Sequence, residues 1–232
     1  MTQMLKIDLH THTSRYSSCS VLSPEALCEV AIRQGLNALA ITEHHHQWSA
    51  GEIAALQARY PALKLYAGVE ISCTDGHDYV VLGLDAGAYT PHPMSYAQLQ
   101  SLLDRRPGAF VFVAHCFRYS TDESGLAGRQ IDGIEVGNYN VLARPQPEDG
   151  PAAIAHLALY RRWQQRMGWI ALYNSDAHSA GMVGIFYNLI ETPDGIPQDE
   201  EALIRLLRQG PVRGFQDDVR IRLALDGAQR FT

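Results

Sequence analysis

Short apolar runs alternate with amphipathic stretches along the whole 232-residue chain. Leu5–Leu9, Asn37–Thr42, Leu63–Ile71, Tyr79–Leu84, Ala109–Ala114, Ile131–Val136, Trp169–Tyr173 and Ile185–Glu191 have the length and β-branched or aromatic content of strands. The stretches between them carry helix signals. Ser23-Pro24-Glu25 places a capping serine before a proline at the first helical position, and Gly35 closes that helix. Ser49 to Glu52 has capping-box spacing for a helix running to about Tyr60. Ser95–Arg105, Pro151–Met167 and Asp199–Gln209 follow the same pattern, the last ended by Gly210. Asp75-Gly76 marks a turn pairing Leu63–Ile71 with Tyr79–Leu84, and Asn138–Gly150, with Pro145 and Pro147, reads as a loop over one end of the fold.

Repeated strand–helix units predict a parallel sheet, and this number of them predicts closure into a barrel. An open doubly wound sheet would place a glycine-rich phosphate loop after the first strand. That position holds His10 and His12 instead. No repeat, low-complexity tract or linker divides the chain, so a single domain over 1–232 is expected.

The net charge of −6 provides no general basic field for a long nucleic acid or an anionic membrane. There is no long apolar stretch and no signal-like N-terminus, and Cys19, Cys28, Cys73 and Cys116 lack CxxC spacing. A reduced, cytoplasmic protein without membrane partners is the expectation. The oligomeric state is not legible.

Candidate chemistry collects where the apolar runs end. Ile7–Leu9 leads to His10 and His12, which share a face of an extended strand. Leu39–Thr42 leads to Glu43-His44, Leu65–Val69 to Glu70, Phe110–Ala114 to His115, Ile131–Ile134 to Glu135, and Ile170–Asn174 to Asp176-Ala177-His178. In barrel enzymes the C-terminal strand ends form the active site. Imidazoles and carboxylates gathered at one mouth need cations to balance them. Mixed nitrogen and oxygen donors suit zinc, manganese or iron, and their number suits two or three divalent ions sharing a bridging carboxylate.

These motifs, Asp8-Leu9-His10-Thr11-His12, Ile41-Thr42-Glu43-His44, Gly68-Val69-Glu70, Ala114-His115-Cys116-Phe117-Arg118, Gly133-Ile134-Glu135-Val136 and Ser175-Asp176-Ala177-His178, stand in the order of a known family. The chain resembles the PHP (polymerase and histidinol phosphatase) family of metal-dependent phosphoesterases over about residues 5 to 190. The resemblance implies an α/β fold, a distorted (β/α)7 barrel of TIM-like form, with up to three metals. Carried over by position, His10, His12, Glu70 and Asp176 would hold a first metal, with Glu70 bridging to a second. His115 would bind the second, joined by His77, and His44 and His178 would bind the third. Ser17-Ser18-Cys19 stands where the family usually places an acid or histidine, so the third site lacks an expected ligand. Glu43 and Cys116 replace the more usual Asp and Pro.

The chemistry this implies is phosphoester hydrolysis by a metal-activated hydroxide. Arg118 and Arg15 are candidates to clamp phosphoryl oxygens, with a surface salt bridge as the plain alternative for each. His178 and His44 are candidate acids for the leaving group. Trp48, Phe117, Tyr119 and Tyr139 flank the motifs, where packing competes with stacking on a base or sugar. The expected substrate is a small phosphorylated metabolite or nucleotide, with a short oligonucleotide trimmed from one end still open. Two rivals have different consequences. An amidohydrolase would cleave C–N bonds, often with a modified lysine between its metals, and Lys64 begins its strand at the wrong end. A catalytically silent metal-binding regulatory domain would keep the ligands without turnover.

Overall fold

Leu5, Ile7 and Leu9 alternate along the first strand and sink into one apolar cluster with Ala38, Ala40, Tyr66, Phe110, Phe112 and Leu172 from other strands. That shared interior defines the architecture. A computed structural model of the chain describes residues 2–87, 92–117, 125–139 and 152–228. Its strands are β1 (Gln3–Thr11), β2 (Ala38–Ile41), β3 (Lys64–Ser72), β4 (Asp78–Leu82), β5 (Phe110–Ala114), β6 (Gly133–Asn138), β7 (Ile170–Asn174), β8 (Phe186–Thr192) and β9 (Arg213–Gln216). They form one sheet in the order β7-β6-β5-β4-β3-β2-β1-β8-β9.

The sheet is the expected distorted α/β barrel, mostly parallel with antiparallel strands inserted. β1 to β3 pair in parallel, as do β5 to β7. Between them β4 runs antiparallel to both β3 and β5, the consequence of the Asp75-Gly76 hairpin read from the sequence. β8 and β9 extend the other edge antiparallel. Neither β9 nor the helix after it carries an apolar pattern strong enough to foresee.

Closure occurs at the mouth. Beyond β7 the backbone bridges back to β1, with the His12 amide donating to the Ala177 carbonyl at 3.0 Å and the Asp176 amide to the His10 carbonyl at 3.0 Å. Lower down, the Asn188 side chain of β8 spans to β7, accepting from the Tyr173 amide at 2.9 Å and donating to its carbonyl at 2.8 Å. The barrel is therefore nearly closed, with β7 meeting β1 and β8 through these bonds.

Helices α1 (Pro24–Arg33) and α2 (Ala50–Arg59) cover the outer face of β2, where Leu39 and Ile41 join Leu27, Val30, Ile53 and Leu56. Capping follows the sequence signals, with Ser23 and Ser49 accepting from the third amide beyond each. Helix α3 (Tyr96–Asp104) and helix α4 (Ala152–Met167) cover the β4–β7 side. Helix α5 (Glu200–Gln209) turns Leu203, Ile204 and Leu207 into the interior cluster and plugs the end away from the mouth. There β4 is too short to reach the start of β3, and the Glu200 carboxylate accepts from the Ala67 amide that β4 leaves without a strand partner, at 3.1 Å. Helix α6 (Asp218–Ala228) follows β9.

Tyr173 lies between two glycines from different strands. A β-carbon on Gly137 of β6 or on Gly214 of β9 would collide with its ring. Gly214→Ala should therefore lower unfolding stability by about 1–3 kcal/mol, the usual cost of overpacking. Gly51→Ala, where an added carbon meets nothing within 4 Å, should cost nothing. Urea unfolding of the two variants side by side checks this, and equal stability would show that Tyr173 does not need the gap.

Candidate metal centre

Strict alternation from Leu5, Ile7 and Leu9 would turn His10 and His12 away from the barrel interior. A bulge prevents that. Asp8 and Thr11, three residues apart, sit opposite Leu39 and Ile41, two apart, so β1 carries one extra residue. The extra residue resets the alternation and brings both imidazoles onto the face of Leu9, at the mouth. A second bulge in β6, between Glu135 and Gly137 against Leu172 and Tyr173, lets Glu135 and Asn138 both face inward.

The other donors arrive at backbone turns of unusual conformation. His115 (φ 26°), Asp176 (φ 52°) and His45 (φ 53°) are the described non-glycine residues with positive φ, and all lie at this rim. Glu70 is fixed by a short parallel bridge to the segment after β2, its amide donating to Glu43 and its carbonyl accepting from His45 at 2.7 Å.

Three donor groups result: His10, His12 and Asp176; His10, Glu70 and His115; and His12, His44 and His178. In each, the ligand atoms lie within 4.8 Å of one another. The His12 ring packs against those of His44, at 4.3 Å, and His178, at 4.4 Å, which lie 5.8 Å from each other. His10, His12, Glu70, His115 and Asp176 are buried, while His44 and His178 are half-buried and face the opening.

The hydrogen bonds around the imidazoles decide whether this set fits a metal. His10 Nδ1 donates to Glu135 Oε1 at 2.9 Å, which leaves Nε2 with its lone pair. His12 Nδ1 points at Ser17 Oγ at 3.3 Å, and that hydroxyl spends its own proton on Glu43 at 2.6 Å. His12 Nε2 therefore also presents a lone pair. The two Nε2 atoms stand 3.0 Å apart, with Glu70 and Asp176 oxygens 3.2–3.5 Å from them. Lone pairs facing each other and two carboxylates, all out of water, call for positive charge between them, which a shared proton supplies in the absence of metal and a divalent cation supplies in its presence. His178 Nδ1 donates to the Asp176 carbonyl at 2.9 Å, so its Nε2 is free for the same purpose. The residues fit divalent metal.

Electrostatics agree. Burial alone would depress His10, but Asp176, Glu135 and Glu70 outweigh it and hold His10 well above the usual imidazole range. His115, also working against burial, is pushed up to about 9 by Glu70 and Asp176. Burial holds His12 down to about 4, and His10 adds to that by repulsion. Glu70 and Asp176, despite their burial, lie below the usual carboxylate range because His10 and its neighbours surround them.

The remaining sequence candidates divide. His77 is buried in the β3–β4 hairpin, its amide donating to Asp75, and belongs to none of the three donor groups among the described residues. Arg118 and Tyr119 lie outside the described residues. Arg15 is engaged by Glu52 at 2.8 Å, the salt bridge that was the plain alternative to a clamp. Lys64 donates to the Gln198 carbonyl at the far end of the barrel, so it does not bridge these donors.

From its strand-end position alone Glu135 had no assigned role, and in the structure it sits at the centre of a buried network. Besides His10, its oxygens accept from Asn174 at 2.9 Å, the His115 amide at 3.0 Å and Asn138 at 2.8 Å. Asn174 in turn accepts from Asn188 at 2.8 Å, linking the centre to β8. Asp8, with its carboxyl raised to about 7 by burial, and Glu43 are further supports that periodicity did not single out. Their signal was a charged residue inside an apolar run, a position only a buried partner network makes tolerable.

Residues 8–116 match the PHP domain and residues 156–212 the PHP-associated family model. The chain carries a PHP domain over residues 8–116. A 5'-3' exoribonuclease of Haemophilus influenzae is 37% identical over 97 residues, covering 41% of this chain and 34% of that protein. The 5'-3' exoribonuclease Rnm of Escherichia coli is 30% identical over 128 residues, covering 53% of this chain and 41% of that protein. The matches thus span well under half of each curated relative. In fold, PsfC from Pseudomonas syringae superposes with a TM-score of 0.67 at 18% identity, covering 99% of this chain and 100% of that one. The donor groups described here draw on β1, β3 and the turns after β2, β5 and β7.

Glu135→Gln should weaken binding of manganese or zinc about 10- to 100-fold, because the amide no longer fixes the His10 tautomer by accepting at both oxygens. Isothermal titration of metal into chelated protein checks this, with circular dichroism confirming the fold. Unchanged affinity would remove Glu135 from the support of the centre.

Proposed function

We propose that this chain, acting as one domain, is a metal-dependent phosphoesterase whose substrate is a nucleotide or the end of a short oligonucleotide. One observation carries the reading: the buried, facing Nε2 lone pairs of His10 and His12, 3.0 Å apart and flanked by Glu70 and Asp176. Its donor set would hold two to three divalent ions, with zinc, manganese and iron the metals such a mixture suits. His10, His12, Glu70, Asp176 and His115 supply the deeper positions, and His44 and His178 the outer one. When bound, such cations supply Lewis-acid charge to a phosphoryl group and lower the pKa of nearby water.

The chain's own contribution is preorganisation. Glu135, Ser17 and the Asp176 carbonyl keep each imidazole turned so that its free nitrogen faces the centre. His44 and His178 line the open side, and whichever of them is not ligating a cation would pass a proton to the leaving group. Arg118, three residues past His115, supplies the remaining positive charge as a fork-shaped partner for phosphoryl oxygens.

The likeness to two exoribonucleases favours a nucleotide over other phosphorylated metabolites and brings strand ends into the substrate class. It qualifies the expectation of a purely small substrate. The acidic chain argues against a grip on long duplexes, since charge neutralisation supplies most non-specific affinity.

Chelated protein should hydrolyse nothing, and added manganese should restore cleavage of 5'-phosphorylated nucleotides or oligonucleotides. Asp176→Asn should lower kcat at least about 100-fold and Arg118→Ala kcat/KM by a similar factor. Steady-state phosphate release over a panel of mono- and oligonucleotides, with amide substrates alongside, checks these. Turnover of amides alone would favour the amidohydrolase reading, and silence on the entire panel with metal bound would favour a regulatory domain.

A further inference from the structure

One residue before Ser17 and two after His44, the chain carries a pair of stacked rings that the metal chemistry leaves unused. Tyr16 stacks on His46 with ring centroids 3.7 Å apart and planes inclined by 28°. Trp48 stands edge-on to Tyr16 at 6.0 Å, and the Arg15 guanidinium lies 5.2 Å from the Tyr16 ring and 5.1 Å from the Trp48 ring. Trp48 is buried and anchored by its indole N–H to Glu43, so the group has a fixed floor.

Both halves of the stack are chained to the metal centre. Tyr16 directly precedes Ser17, whose hydroxyl lies 3.3 Å from His12 Nδ1 and accepts from the His44 amide at 3.1 Å. His46 follows His44 by two residues, and the left-handed turn at His45 (φ 53°) returns the chain toward Tyr16.

The surface is also held rigid. The Tyr16 hydroxyl donates to Glu52 Oε1 at 2.5 Å, and Arg15 donates to the same oxygen at 2.8 Å. The other oxygen of Glu52 accepts from the Ser49 amide and hydroxyl at the cap of α2. Yet Tyr16 stays 37% exposed, among the few large hydrophobic side chains that are. With His46 against one face, the part of the Tyr16 ring left exposed is held without rotamer freedom, and a planar ligand stacking on the outer surface of the pair would meet little further ordering cost. Arg15 is neutralised by Glu52 and the chain is acidic overall, so affinity here would come from stacking in preference to charge.

We propose that Tyr16 and His46 form a stacking platform for the nucleobase joined to the phosphoester that the adjacent centre cleaves. This rests on the phosphoesterase reading above, and it names the feature that would favour nucleotides over base-free phosphoesters. Every base has a π-face, so the platform discriminates base from no base without reading sequence.

The test compares Tyr16→Leu and Tyr16→Phe with the manganese-loaded parent protein. Substrates are a mononucleotide, a 5'-phosphorylated trinucleotide, and a base-free sugar phosphate. Tyr16→Leu should lower kcat/KM on the nucleotide substrates roughly 5- to 100-fold, mainly through KM, and by at least fivefold more than on the sugar phosphate. Tyr16→Phe, which keeps the ring, should recover most of the loss. A deficit confined to the trinucleotide would identify a strand end as the source of the base, and a deficit on both would include free nucleotides. Equal losses on all three substrates would overturn the platform. A binding arm is independent of turnover: 2-aminopurine nucleoside phosphonates, with carbon in place of the scissile ester oxygen, should be quenched by the parent protein and not by Tyr16→Leu. Quenching that survives Tyr16→Leu would also overturn it. If the parent protein cleaves no phosphoester, the phosphoesterase reading fails, and the fluorescence arm still decides the platform.

Discussion

The centre depends on one extra residue in β1. Without the bulge between Asp8 and Thr11, the strand that puts Leu5, Ile7 and Leu9 in the core would send His10 and His12 outward toward the helices. With it, the same strand supplies the barrel interior below and two ligands above. The mouth closes at that point too, because the residues after β7 bridge to β1 beside the bulge. Packing, closure and ligand placement therefore share one irregularity, and such features gather at barrel rims next to active sites.

Charge balance explains why so many polar groups tolerate burial here. His10, His12, Glu70, Glu135, Asp176 and Asn174 are nearly or fully excluded from water. Isolated, each would be costly to bury. Together they form a network in which each imidazole donates on one side and faces a carboxylate on the other. The network reaches Asn188 on β8, so the antiparallel strand that extends the barrel wall also orients the centre. A strand that looks peripheral in the topology is tied to the chemistry by two asparagines.

Much of this was legible in the sequence, for identifiable reasons. The eight predicted strands fall where strands are found because each is a short apolar run bounded by caps or turns, and the helix caps at Ser23, Ser49 and Ser95 form as their spacing implied. The hairpin at Asp75-Gly76 was readable and forces β4 antiparallel. β9 was not, since Arg213–Gln216 is mostly exposed and has no apolar face to announce it. The convergence of His10, Glu70, His115 and Asp176 followed from strand-end logic, whereas the bulges that aim them depend on pairing register, which no single segment encodes. Glu135 shows the same limit. Its place at a strand end was visible, but its four hydrogen-bond partners come from β1, β6, β7 and the turn after β5.

The outer donor group differs in kind from the inner two. His12, His44 and His178 offer nitrogen alone, while the inner groups each include a carboxylate. An imidazole nitrogen has one lone pair, so His12 can serve the inner group or the outer one but not both. If Asp176 and His10 claim it, the outer position keeps two imidazoles, and Ser17 offers no further anion because its proton is committed to Glu43. The ligand atoms themselves then bring no negative charge to a cation held there, and the carboxylates nearest these imidazoles, Glu70 and Asp176, belong to the inner groups. A phosphoryl oxygen is the missing ligand that would complete it. Under the function proposed, the departure from the family pattern at Ser17 would therefore couple the outer position to substrate.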